Sequence, residues 1–94
     1  MIRVFLGPPL VRSARGLNAA SRAKAEAALS AVARHFGDPR RHSGLGLRKL
    51  GLGLWECRVD IKWRIILIQE DDGLRAFDIM DHNEIRAWLK TRKR

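Results

Sequence analysis

Residues 54–82 read LWECRVDIKWRIILIQEDDGLRAFDIMDH. The stretch is rich in the β-branched and aromatic residues that fit a pleated surface: Trp55, Val59, Trp63, Ile65, Ile66, Ile68, Phe77 and Ile79. Asp72-Gly73 lies between two such runs and is a strong short hairpin signal, since a type I′ turn needs positive φ at both central residues. An earlier turn falls at Asp60-Ile61-Lys62. The reading is three antiparallel strands, Leu54–Val59, Trp63–Gln69 and a third that runs to the edge of a last helix. Alternation places Trp55, Cys57 and Val59 on one face of the first strand and Glu56 and Arg58 on the other. On the second strand Trp63, Ile65 and Leu67 share a face, and Arg64, Ile66 and Ile68 share the other. If Val59 sits opposite Trp63, then Cys57 faces Ile65 and Arg58 faces Arg64. Two directly opposed arginines repel. Glu56, one pair along on the same face, offsets part of that. Such a pair points to an anion site; the plainer alternative is solvated strand residues. Extending the second hairpin from an Asp71–Leu74 pair sets Ile66 opposite Ile79 and Arg64 opposite Asp81.

The helix that follows reads DHNEIRAWLKTRKR. Asp81 is a good N-cap, and Glu84 three residues on completes a capping box. His82 takes the first helical position, beside Arg64. Ile85, Trp88 and Leu89 form the apolar stripe. Lys90, Arg92, Lys93 and Arg94 complement the negative end of the helix dipole.

Upstream, Ile2–Leu6 is a short apolar run halted by Gly7-Pro8-Pro9, because proline lacks a donor. Residues 10–17 are ambiguous. From Asn18, NAASRAKAEAALSAVARHF is dominated by alanine, the best helix former. Asn18 is its N-cap, Gly37 its C′ residue, and Pro39 its stop. Ala25, Leu29, Val32 and Phe36 lie on one face and should pack on the sheet; Arg22, Lys24 and Arg34 stay in water. Residues 37–53, GDPRRHSGLGLRKLGLG, form a Gly-rich connection whose Leu45, Leu47, Leu50 and Leu52 suggest pairing with or packing under the sheet. No GK[ST] follows, so it is not a phosphate-cradling loop. Arg40, Arg41, Arg48 and Lys49 give it positive charge, and with Lys62 they are the candidate RNA-binding residues. His42 reads as a surface residue rather than a ligand.

Ninety-four residues amount to one domain, 1–94. The fold class is α+β: a small antiparallel sheet, an N-terminal helix packed on one face and a short C-terminal helix. The net charge is +9. Residues 1–53 hold ten basic residues against two acidic ones, and residues 54–94 hold nine against eight. A small domain this basic is expected to meet a polyanion, most often nucleic acid, because neutralised phosphates release counterions. A solubility role for the charge is the alternative. One cysteine, Cys57, forbids an internal disulfide, and in its strand it reads as a small buried hydrophobe. No Cys/His spacing suggests zinc. No apolar run approaches the roughly 20 residues that span a bilayer, and the N-terminus lacks a signal-peptide pattern. The expectation is a cytoplasmic protein without metal, cofactor or membrane partner.

In order, spacing and size, LRKLGLGLWECRV, then KWRIIL, then IMDHNEIRAWL resemble the RelE/ParE superfamily of toxins from toxin–antitoxin pairs, over roughly residues 45–90. The resemblance implies a small antiparallel sheet with N-terminal helical structure packed on it. RelE-type members cleave mRNA in the ribosomal A site. By position, Arg64 matches the arginine that stabilises the scissile phosphate. Glu56 and Arg58 match charged positions of the preceding strand, and His82 matches the basic residue at the end of the sheet. With histidine titrating nearest neutral pH, His82 is the candidate acid and Glu56 the candidate base. Many active members place a tyrosine near the C-terminus; this chain has none. ParE-type members share the fold, lack the catalytic set and poison DNA gyrase, which keeps a gyrase toxin and a plain basic binding module as alternatives. The implied partners are an antitoxin, the ribosome and mRNA.

Overall fold

The computed structural model describes residues 1–92; Lys93 and Arg94, expected at the end of the last helix, lie outside the described residues. The chain runs β1 (Val4–Leu6), α1 (Pro8–Arg15), α2 (Ala19–His35), α3 (Pro39–His42), β2 (Leu47–Gly51), β3 (Leu54–Arg58), β4 (Arg64–Glu70), β5 (Gly73–Met80) and α4 (His82–Arg92). The strands form one sheet in the order β1-β5-β4-β3-β2, antiparallel except for β1, which lies parallel to β5 at an edge. The α+β class and both expected helices stand.

β4 has apolar residues on both faces, so both must be covered. On the first face Cys57, Ile65, Leu67, Leu74 and Ile79 pack with Leu10 of α1 and Ala25 and Val32 of α2, and Leu29 and Phe36 extend that contact. On the second, Leu54, Ile66 and Met80 pack with Ile85 of α4, joined by Trp88 and Leu89. The helix faces read from sequence spacing are the ones that bury. Asn18 caps α2 through its side chain, which accepts from the Ser21 N–H at 2.8 Å. Asp81 and Glu84 form the capping box: the Asp81 N–H donates to Glu84 Oε1 at 2.9 Å and the Glu84 N–H to Asp81 Oδ1 at 2.8 Å.

The β3–β4 register is the expected one, with Cys57 opposite Ile65 and Arg58 opposite Arg64. The β4–β5 register is not. Glu70 pairs with Gly73, so Asp71 and Asp72 form the loop, and neither has the positive φ of a type I′ turn. Farther along, Ile66 lies opposite Asp78 rather than Ile79, and Arg64 opposite Met80 rather than Asp81. A bulge at Phe77 separates the two registers. A one-residue slip in a strand exchanges its faces. This one turns Ile79 to the face covered by α1 and α2, and leaves Phe77 and Met80 to α4.

The ambiguous segment is helix α1, started by Pro8 and Pro9 at its first positions, where a missing N–H costs nothing. Arg22 is not merely solvated: its guanidinium donates to the carbonyls of Ala14 and Leu17, closing the end of α1. The Gly-rich connection holds a short helix, α3, and the edge strand β2, which pairs with β3. His42 is part of a packed aromatic group rather than a loose surface residue. It stacks on Phe36 and meets Trp55 edge-on, both at 5.5 Å between ring centroids, and its Nε2 accepts from the Gly37 N–H.

Candidate active site

The uncovered corner of the second face, beyond the reach of the α4 stripe, holds the charged residues. Cross-strand pairing sets Arg48 on β2 opposite Glu56 on β3, and Arg58 on β3 opposite Arg64 on β4. Since Glu56 and Arg58 are two apart, all four side chains share a face. Together with Ser43 and Gly46 they line an open pocket of about 350 Å³.

Glu56 is the buried charge at the centre, 7% exposed. Arg48 Nε lies 3.2 Å from its Oε2 and Arg64 Nε 3.9 Å from its Oε1. The Arg64 side chain is 19% exposed, whereas that of Arg48, on the edge strand, is 71% exposed. Arg58 is exposed and makes no ion pair among the described residues. One carboxylate against three guanidiniums leaves an excess of positive charge in a partly enclosed hollow, where electrostatic interactions are stronger than in bulk water. Cys57, next in sequence, points to the opposite face and is 1% exposed. Burial, then the neighbouring Glu56 charge, pushes its thiol up to about 11. It is a protonated core residue and takes no part in the pocket.

The loop before β2 completes the wall. Gly46 has φ +66°, a region costly for other residues, and a Cβ there would lie 2.8 Å from Arg58 Cβ. Its carbonyl accepts from the Arg58 N–H at 3.2 Å, which ties the loop to the strand beside that arginine. Neither Gly46 nor Ser43 was singled out in the sequence. The only signal was the glycine pair flanking Leu45, whose role depends on where β2 lies.

The remaining candidates are dispersed. His82 is the first residue of α4, exposed, two residues after the Met80 that pairs with Arg64; it does not line the pocket. Arg40 and Arg41 lie on α3, exposed, and Arg40 pairs with Asp38. Lys49 is opposite Trp55, hence on the face away from Arg48, with its Nζ 6.0 Å from the Trp55 ring centroid. Lys62 is in the β3–β4 turn, above the Trp63 ring at 4.7 Å. Of the five candidate RNA-binding residues, Arg48 alone joins the pocket.

No protein-family model and no curated protein matches the sequence. Solved structures do match the fold. A RelE–RelB complex from Pyrococcus horikoshii superposes with a TM-score of 0.67 at 17% identity, covering 85% of this chain and 93% of that one. The fold is that of the RelE toxins. A heterotetrameric YoeB–YefM toxin–antitoxin complex from Staphylococcus aureus gives a TM-score of 0.64 at 15% identity over 87% of this chain and 98% of its own. YafQ from E. coli gives 0.63 at 12% identity over 90% and 98%. In this RelE fold the arginine-lined pocket is built by the strand pairs Arg48–Glu56 and Arg58–Arg64. Among the described residues, no cluster of three or more His, Cys, Asp or Glu could hold a metal ion, and no helix is long and apolar enough to cross a membrane.

Proposed function

We propose that this protein is the toxin of a toxin–antitoxin pair and a metal-independent endoribonuclease that cleaves mRNA on the ribosome. The observation that carries this reading is the grouping of Arg48, Arg58 and Arg64 around the buried Glu56 in one pocket of a RelE fold. In the reaction the ribose 2′-oxygen attacks the adjacent phosphorus and the P–O5′ bond breaks, leaving a 2′,3′-cyclic phosphate and a 5′-hydroxyl. Glu56 takes the 2′-hydroxyl proton, and His82, at the start of α4 outside the pocket, gives a proton to the leaving 5′-oxygen. Arg64 and Arg58 bind the charge that grows on the phosphoryl oxygens. The chain has no tyrosine, so the proton transfers fall to these two groups. Arg40, Arg41, Lys49 and Lys62 lie outside the pocket and would meet the ribosome or flanking RNA through long-range attraction.

The partner that silences it would be an antitoxin, as RelB accompanies RelE and YefM accompanies YoeB in the solved complexes. An acidic partner suits the +9 charge. The work of such a toxin is in the cytoplasm. The test is cleavage of mRNA on purified ribosomes by the wild-type protein, Arg64→Ala and His82→Ala. The reading requires cleavage that falls sharply in both variants. Undiminished cleavage in both would move the chemistry elsewhere. Growth arrest with damaged DNA and intact mRNA would instead indicate a gyrase toxin.

A further inference from the structure

Glu56 lies within ion-pair distance of two arginines. Its contacts with both arginines are made through Nε: Arg48 Nε at 3.2 Å on Oε2 and Arg64 Nε at 3.9 Å on Oε1. A guanidinium has five N–H donors in a planar fork, one on Nε and four on the terminal nitrogens. With Nε the nitrogen beside the carboxylate, each fork keeps terminal N–H donors for a second acceptor. The two arginines sit on strands either side of Glu56, at a cross-strand and a diagonal position. One buried carboxylate thus stands between two guanidiniums in one pocket. We propose that Glu56 is a positioning residue that holds Arg48 and Arg64 as a two-pronged clamp on a single RNA phosphodiester, and that Arg48 contacts the substrate. This rests on the nuclease reading and adds to it a role for Glu56 that precedes any proton transfer.

Several features of the site favour an anchor. Arg48 belongs to an edge strand and is 71% exposed. A long side chain so placed samples many rotamers and would lose much entropy on gripping a ligand. An ion pair with Glu56 removes part of that loss before binding, which is preorganisation. Arg64 is largely enclosed, so its charge needs a nearby countercharge, and Glu56 supplies it at 3.9 Å. Arg58, directly opposite Arg64, has no ion pair among the described residues and serves as a third cation.

Such a clamp changes binding in the direction opposite to simple electrostatics. Coulomb's law alone says that removing a carboxylate from a cationic pocket tightens its hold on a polyanion. If Glu56 is an anchor, removing it loosens that hold. The experiment measures equilibrium binding of the protein to ribosomes carrying an mRNA with 2′-O-methyl riboses, which cannot be cleaved and so separate positioning from proton transfer. Glu56→Ala should bind about tenfold more weakly than wild type. Glu56→Gln, which keeps one acceptor oxygen, should fall between them. Arg48→Ala should also bind about tenfold more weakly, and the Glu56→Ala/Arg48→Ala double variant should lose less than the product of the two single losses. Thermal melting establishes that each variant is folded; should Glu56→Ala not fold, Glu56→Gln carries the comparison. Binding by Glu56→Ala or Glu56→Gln as tight as or tighter than wild type overturns the clamp, as do fully multiplicative losses, while the nuclease reading survives if the wild type still cleaves. If the wild type neither binds nor cleaves, the nuclease reading itself falls and takes the clamp with it.

Discussion

At the scale of single residues, three side chains carry separable predictions. Arg64→Ala should lower the rate of RNA cleavage by about 10² to 10³, the usual loss for one pre-placed donor to developing charge, without abolishing the fold. Cys57, with its thiol pushed up to about 11, should resist iodoacetamide at pH 8 in the native protein and react once urea unfolds it. Asp60 has its carboxyl held below the ordinary carboxylate range, first by the Trp63 N–H, with further help from the Lys62 N–H, the Ser21 hydroxyl and Lys24. Its Oδ1 accepts from Trp63 at 2.8 Å and Lys62 at 3.0 Å, and its Oδ2 from Ser21 at 3.1 Å, which ties the β3–β4 turn to α2. A carboxyl with a lowered folded-state value stabilises the protein at pH above its unfolded value, and that contribution is lost as pH falls through the folded value. Urea titrations of wild type and Asp60→Ala should therefore differ at pH 7 and converge as the pH falls below the ordinary carboxylate value of 3.8. The arginine pair Arg58–Arg64 was legible from alternation and turn placement alone. The Arg48–Glu56 contact was not, because it depends on pairing between β2 and β3, and a Gly-rich segment with few β-branched residues gives no register.

Elements add what residues cannot. The capping box at the start of α4 fixes where His82 begins the helix; Asp81→Ala should cost about 1 kcal/mol in thermal or urea unfolding, as N-cap losses commonly do. The β5 hairpin depends on Gly73, where a Cβ would collide with the Arg3 carbonyl oxygen beside β1. Gly73→Ala should be markedly destabilising, with the β1–β5 junction the first region to exchange its amide hydrogens. Gly46→Ala has a functional consequence as well: backbone strain and contact with Arg58 should displace the pocket wall and reduce RNA cleavage more than it reduces stability. The long α2 and the capping box were written in local sequence, since alanine content and cap spacing act within a few residues. The Phe77 bulge was not, because one extra residue pairs with nothing and is chosen by burial on both faces. Residues 10–17 are ambiguous in sequence because tandem prolines read as a stop, whereas at a first turn they serve equally as a start, as in α1.

Over the whole molecule, the sheet divides labour between its faces. One is sealed by α1 and α2, the other is only partly covered by α4, and the remaining corner collects the arginines. The positive charge extends well beyond that corner, so association with ribosomes should weaken steeply with salt. For single-stranded RNA each phosphate contact contributes about 0.7 to the slope of log K against log salt. Arg48→Ala should reduce the slope by about that amount if it holds one phosphate. The central claim is that this hollow of guanidiniums cuts RNA. Its most direct measurement is primer extension on cellular mRNA after brief induction of the protein in cells that lack an antitoxin. The account predicts new cDNA ends within translated regions for the wild type and their loss for Arg64→Ala. Growth arrest with full-length messages, or the same new ends from Arg64→Ala, would contradict it.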